Sequence, residues 1–414
     1  MKCRYMSDEK EYTREKKKMT LRRRVVPEQT EEEVSDISHE IRRYYIRRLA
    51  VVAAATLAVI VTIMIGNTIS NNKEYSSLEV QWETGGAGGD TVFYESFGSY
   101  LIRYSQNGMT CLDKEGTVLW DYGYSMRNPA ICIREDYAVI GDLQGQTAVI
   151  FQEDGVLGTV GTTMSILNLT ISAHGVVALM LDDVDSCLIQ FYEKSGLKLD
   201  IMIKNVLAET AGYPMDLSLS PKGTGLVLSL VYMDQGSMQS RITFLNFDVG
   251  KTESDRVVGV FKYGEVLFPQ VEYLTDEIAC AFGDNQINLY SLKKETSPEL
   301  LKSITCTSEI QSVFTGKNRI GVVLNGENGE YQAQVYDLSG ELLMEKEIPF
   351  TYTHAEFWGD YLLFYNSSEC MVLNQNGKVK YHGSLEGYTL KIVFLSKSTF
   401  LQLGSQSTKG MKMK

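Results

Sequence analysis

The sequence predicts an all-β protein: a β-propeller of four-stranded blades behind a single transmembrane helix. Three observations predict it. Leu49 to Ile65 reads LAVVAAATLAVIVTIMI, without charge, Pro or Gly. From Thr91 onward one pattern recurs, an apolar strand, a polar turn ending in Gly, and a second apolar strand. No long amphipathic helix interrupts that pattern, which argues against alternating βαβ units.

Residues 1–48 read as a tail. They hold 14 Lys and Arg against 10 Asp and Glu, with Lys16, Lys17, Lys18, Arg22, Arg23 and Arg24 in one cluster and Glu31, Glu32 and Glu33 in another. Such composition buries too little apolar surface to order itself, so the tail is expected to be largely disordered. A short helix from Ile37 to Arg48 is expected to run into the span. At 1.5 Å of rise per residue, about 17 to 20 apolar residues cover a hydrocarbon core of roughly 30 Å. Leu49 and Ile65 therefore mark the ends of a transmembrane segment assigned to 49–66. Arg42, Arg43, Arg47 and Arg48 precede it, and Lys73 is the one basic residue soon after it. This bias sets the topology: 1–48 in the cytoplasm, the bulk of the chain outside a cell membrane. The long charged segment before the span, and TIMIGNTIS at its end, fit an uncleaved signal anchor rather than a cleaved signal peptide.

Residues 67–90 read as a stalk that carries a lone strand candidate, SSLEVQW at 76–82, and a GGAGG linker at Gly85–Gly89. A phosphate loop needs a preceding strand, a following helix and usually GK[ST]; none is present, so the glycines read as a linker. The propeller itself is assigned to 91–405. Its clearest hairpins are CLDKEGTVLW, IFQEDGVLGT, FYEKSGLKLD, VYDLSGELLM and VLNQNGKVKY. The turn glycines Gly116, Gly155, Gly196, Gly250, Gly340 and Gly377, with Thr296 in the Gly place of the fifth copy, recur about every 43 residues, the period of a four-stranded blade. A tight hairpin loop needs a residue at positive φ, which explains Gly there. Two further strand candidates precede each hairpin. The full units are 91–124, 129–162, 166–204, 214–262, 266–304, 309–348 and 353–385. Runs such as VVALML and GLVLSLVY are apolar almost throughout, as expected of strands covered on both faces by neighbouring blades.

TLKIVFLS and TFLQLGS remain after the seventh unit. A ring must close without raw edges. These two strands, joined by SSLEVQW from the N-terminal side, predict an eighth, composite blade. A seven-bladed ring with the extra strands packed outside is the alternative. Residues 406–414 are left as a disordered C-terminal tail.

The part beyond the span holds 26 Lys and Arg against 42 Asp and Glu, which argues against nucleic acid and against docking on anionic lipid. Its six cysteines, Cys111, Cys132, Cys187, Cys280, Cys306 and Cys370, mostly lie in apolar strand-like runs without CxxC spacing. They read as buried free thiols, which suits a bacterial envelope.

CLDKEGTVLW resembles the repeat of quinoprotein-type propellers, in which Asp opens the turn, Gly completes it and Trp docks on the next blade. LSPKGTGLVL at 219–228 is similar to the inner-strand signature of WD40-like propellers. A charged tail, one span and a degenerate propeller also resemble a family of unknown function, DUF5711, of single-pass membrane proteins of Gram-positive bacteria. The docking Trp occurs at Trp120 alone, and the adjacent Cys pair, Trp floor and calcium site of true quinoproteins are not identifiable. The resemblance implies the fold and no cofactor.

Catalytic signatures are lacking. His39 falls in the tail, and His174, His354 and His382 fall at turns or strand ends, where they read as exposed loop residues. LDDVDS at 181–186 lacks the spacing of a calcium loop and reads as a hairpin tip. No GxSxG, HExxH or SxxK occurs. Asn168 and Asn366 are formal glycosylation sequons. No catalytic, cofactor or metal residue is assigned. The expected function is a membrane-anchored, extracytoplasmic binding or scaffold module for a protein or envelope-polymer partner. The alternatives are an enzyme with an unrecognised channel site and a single-pass sensor.

Overall fold

The structure, a computed structural model, describes residues 31–85, 92–113, 116–206, 212–249, 252–264, 266–326, 330–405 and 407–414. The basic cluster at 16–24, all but the first glycine of GGAGG, and Gly250 lie outside the described residues. The chain divides into two units, 1–71 and 72–414.

In the first unit, helix α1 runs over Glu31–Asn72, longer at both ends than the sequence suggests. Its stretch Arg42–Met64 has a mean hydropathy of 2.0 and no buried residue, so it is long and apolar enough to cross a membrane. Its two hydroxyls turn inward: Thr56 Oγ1 donates to Ala53 O at 2.9 Å and Thr62 Oγ1 to Ala58 O at 2.8 Å. Both bonds close onto the helix's own backbone.

The second unit contains 32 strands among the described residues, β1–β32 in chain order, in eight four-stranded antiparallel sheets. Blade 1 is β2–β5 (93–123), blade 2 β6–β9 (129–161), blade 3 β10–β13 (165–206) and blade 4 β14–β17 (213–263). Blade 5 is β18–β21 (270–305), blade 6 β22–β25 (310–348) and blade 7 β26–β29 (354–384). These match the seven predicted units within a few residues. A one-turn helix, α2 (Glu253–Arg256), interrupts the last connection of blade 4.

The hairpin turns show why the repeat is spelled as it is. At Asp113, the carboxylate accepts from Thr117 N at 2.7 Å and the carbonyl from Gly116 N at 3.1 Å. Asp337 and Asn374 repeat the motif: each side-chain oxygen accepts backbone N–H groups across the turn, and each carbonyl accepts from Gly340 N or Gly377 N. Gly116, Gly196, Gly340 and Gly377 have φ between 74° and 84°, and Gly155 has φ 131°. In the fifth copy the closing bond is Ser297 N to Lys294 O, so Ser297 rather than Thr296 takes the fourth turn place.

Second strands are buried on both faces: Val177–Leu181 and Tyr361–Tyr365 are buried at every residue. Fourth strands are largely exposed, as in the Val118–Gly123 strand. Cores form between blades rather than within them. Trp120 binds blade 1 to blade 2, its Nε1 donating to Glu153 O at 2.6 Å and its ring meeting Phe151 edge-on at 5.8 Å. Of the six cysteines, Cys132 is half-buried and the other five are buried, unbridged, in this packing.

The eighth blade closes the ring in the order β1–β32–β31–β30. β30 (Lys391–Ser396) and β31 (Thr399–Leu403) are the two predicted strands, and β1 (Leu78–Gly85) is the N-terminal one. Between them lies β32 (Ser407–Met413), in the segment expected to be a disordered tail. That expectation fails because STKGMKM hides an alternating strand. Met411 and Met413 are 2% and 1% exposed and pack with Leu78, Phe394 and Phe400, while Lys412 points out. Gly410 pairs with Trp82, whose indole lies where a Cβ would stand. Blade 8 then seals on blade 1, Leu401 and Leu403 packing with Tyr94, Leu101 and Leu112.

Candidate functional site

The first strand of blades 1 to 7, and β30 in blade 8, line the centre of the ring, and their polar residues reach other blades. Arg134, from blade 2, donates through Nη1 to Tyr273 O of blade 5 at 2.9 Å, with Nη2 at 3.5 Å from Ser218 Oγ of blade 4. Asp216 of blade 4 accepts from Asn168 Nδ2 of blade 3 at 2.8 Å and from Val271 N of blade 5 at 2.9 Å. Thr315 Oγ1 of blade 6 donates to Glu272 of blade 5 at 3.0 Å. On the other side of the ring, Lys391 of blade 8 bridges Glu356 of blade 7 at 2.9 Å and Glu95 of blade 1 at 3.3 Å. These are ties between blades, formed by residues far apart in sequence.

The electrostatics fit that role. Burial pushes the Asp216 carboxyl up to about 6 against its hydrogen bonds. Burial likewise raises Glu272, opposed by Arg134. For Lys391, burial favours loss of the proton, but Glu356 and Glu95 outweigh it and hold the ammonium above the usual lysine range. Asp216, Glu272 and Lys391 each face an opposite charge or a hydrogen-bond partner from another blade.

The histidines do not converge. His174 sits in a turn of blade 3 and His382 on the fourth strand of blade 7, 2.9 Å from Glu369. His354 opens the first strand of blade 7, stacked on Tyr365 at 4.6 Å between ring centroids. Desolvation and the nearby Lys391 lower its pKa. His354 and His382 are thus strand residues, not the loop residues expected. Among the described residues no group of three or more His, Cys, Asp or Glu is placed to hold a metal. Asn168 is occupied by Asp216, and LDDVDS forms the β11–β12 hairpin tip.

Antiparallel blades give the ring two faces. Loops between first and second and between third and fourth strands emerge on one; loops between second and third strands and between blades emerge on the other, here the crossover face. The outer strands carry exposed apolar pairs that recur with the repeat, Val118–Leu119, Leu300–Leu301 and Leu342–Leu343. The crossover face of blades 3 and 4 breaks this regularity. There β15 (Gly225–Asp234) and β16 (Ser237–Asn246) have ten residues each, against five to seven for the second and third strands of every other blade. Three extra residues at about 3.3 Å apiece lift this hairpin roughly 10 Å beyond its neighbours. Its tip pairs Met233 with Met238, 41% and 53% exposed. Leu167, Val184, Tyr213 and Met215 are exposed toward the same end of blades 3 and 4.

A family model described as "Family of unknown function (DUF5711)" matches residues 71–413. The chain belongs to this family. No curated protein matches it in sequence. Among solved structures, the DUF5711 propeller is similar to BamB from Moraxella catarrhalis, with a TM-score of 0.50 and 15% identity over 82% of this chain and 98% of that one. The Dos1 propeller gives a TM-score of 0.53 and 11% identity, covering 81% and 95%. Sqt1 from Chaetomium thermophilum, solved bound to the N-terminus of the ribosomal protein L10, gives 0.50 and 13%, covering 79% and 98%. At such identities the likeness concerns the fold.

Sequence reasoning finds neither the inter-blade ties nor the projecting hairpin. The inter-blade ties have no local signal, since Arg134 and Tyr273 are 139 residues apart. The projecting hairpin left one: its unit, 214–262, is the longest of the seven.

Proposed function

We propose that this DUF5711 protein is a membrane-anchored, extracytoplasmic scaffold that binds a protein partner on the crossover face of blades 3 and 4. The observation that carries the reading is the Met233–Met238 hairpin, which holds flexible apolar side chains in water. Exposed methionines suit an adaptable binding surface, and clustered apolar exposure marks an interaction site. Sqt1 offers a precedent for a propeller holding a peptide segment. The anchor reading rests on the span between Leu49 and Ile65, with Arg42, Arg43, Arg47 and Arg48 on its inner side. No catalysis is assigned, because the channel carboxylates are engaged in ties.

A photocrosslinking residue at Met238, in cells of the native host, is the direct test. It should give one discrete protein adduct, whereas the same residue at Leu343 on an outer strand gives none. Met233→Asp with Met238→Asp should abolish an adduct formed from Tyr213 and leave the melting temperature unchanged. Adducts of equal yield at Met238 and Leu343 would refute the surface. Protease added to wall-stripped cells should remove the propeller, and its protection would refute the topology.

A further inference from the structure

Blade 8 carries a recess on the crossover face. One wall is the connection from blade 7, residues 385–389, and the other is the end of β31 with the start of β32. The recess has a volume of about 290 Å³ and is lined by Glu386, Tyr388, Gln402, Ser405, Ser407 and Lys409. Its walls are pinned by backbone bonds: Thr389 N donates to Ser367 O at 2.9 Å, Leu390 N to Leu403 O at 2.8 Å and Gly404 N to Ser407 O at 2.9 Å. They approach so closely that a Cβ at Gly404 would stand 2.6 Å from Tyr388 O. Gln402 marks the recess as more than a packing gap. Its side chain is 3% exposed, and its Nε2 donates to Glu386 O at 2.9 Å and to Thr389 Oγ1 at 2.9 Å. A backbone carbonyl only accepts, so the bond to Glu386 O fixes which end of the amide is nitrogen. The oxygen is what the amide has left to offer the recess, and Oε1 is buried without a hydrogen-bond partner. An unpaired buried acceptor is costly, and a donor on a ligand removes that cost.

The remaining groups narrow the ligand. Lys409 Nζ donates to Glu386 O at 3.3 Å and lies 3.9 Å from Glu83, whose charge offsets its own. The Glu386 carboxylate adds a further negative charge, so the recess does not favour an anion. Ser405 and Ser407 bring hydroxyls that both donate and accept. Tyr388, 65% exposed, supplies a flat apolar face with a polar tip. Mixed donors and acceptors beside one aromatic face match a ring that carries several hydroxyls and has an apolar side. We propose that this recess binds a neutral sugar ring, which donates to Gln402 Oε1, hydrogen-bonds Ser405, Ser407 and Lys409, and lies against Tyr388. The volume is at the small end of ligand sites and suits a sugar unit rather than a long chain. Such a ring occurs as a free sugar or as the end of a glycan.

The test uses the full chain in a detergent without sugar groups, with saturation-transfer NMR on a panel of hexoses, N-acetylhexosamines and their short oligomers. At least one sugar should receive saturation from the protein. Tyr388→Ala and Gln402→Met should each weaken its binding about tenfold, the worth of one hydrogen bond or one ring contact. Tyr388 is exposed, so its variant should keep the parent's melting temperature even where Gln402→Met lowers it. Tyr213→Ala, which removes an exposed ring on blade 4, should leave the binding unchanged. Equal affinity for a monosaccharide and its oligomers identifies a free sugar, and a clear gain with the oligomers identifies a glycan end. No transfer to any member of the panel overturns the proposal, as does transfer that Tyr388→Ala leaves intact. Inorganic phosphate that displaces the sugar at equal concentration makes the recess an anion site and overturns the sugar reading.

Discussion

Removing Ser407–Lys414 should open the ring, although the segment is short, terminal and rich in lysine. β32 is bonded on both sides, to β31 and to β1, so its loss frees two strand edges at once. Met411 and Met413, 2% and 1% exposed, pack with Phe394, Phe400 and Tyr361. Full burial of a Met side chain contributes about 1.5 to 3 kcal/mol, so the pair contributes about 3 to 6 kcal/mol. Each ladder hydrogen bond adds roughly 0.5 to 1.5 kcal/mol net. The sum approaches the whole stability of a typical domain, roughly 5 to 15 kcal/mol. Point substitutions grade the effect: Met411→Ala and Met413→Ala should each cost about 2 to 5 kcal/mol. Exposed Lys412→Ala should stay within about 0.5 kcal/mol of the parent. Tryptophan fluorescence during chemical denaturation of the full chain reads this directly. Trp82 pairs with Gly410 and Trp358 stacks on Phe394 at 5.0 Å, so two of the three tryptophans report on blade 8. A truncated chain with the parent's midpoint would refute the closure by β32 and make the C-terminal strand an ornament of a ring closed elsewhere.

Two glycine turns with the same φ should differ in tolerance. Gly196→Ala sets a Cβ against the carbonyl of Thr159 and should cost more than Gly116→Ala, which meets open space and should cost about 1 kcal/mol for its positive φ, as denaturation midpoints will show. Asp216 should give the ring an acid-side gain in stability. Its folded pKa of about 6 lies above its ordinary 3.8, so the contribution is complete below the lower value and lost as pH rises through the upper one. That loss is about 3 kcal/mol, and Asp216→Asn should flatten the profile between pH ~4 and ~6 in denaturation measured at constant salt.

What was legible in the sequence was what the blade repeats. A hairpin closed by Asp113 and Gly116 is a local event, fixed by a side chain that bonds its own turn and a residue free to take positive φ. Each unit therefore shows itself separately, and the seven predicted units lie within a few residues of the seven blades. β32 was illegible because its evidence is not in its own composition. STKGMKM becomes a strand through Trp82, which covers Gly410 from more than 300 residues away, and through a core that accepts Met411 and Met413. The channel was illegible for the same reason in stronger form. Nothing around Arg134 announces Tyr273, and nothing around Lys391 announces Glu95, because only ring closure brings them together. The projecting hairpin is the opposite case. Its ten-residue strands lengthen the fourth unit visibly, but a period fitted to the average treats excess length as noise. In a repeat fold the individual function is written in departures from the repeat, so the longest unit marks the place where a partner is proposed to meet this ring.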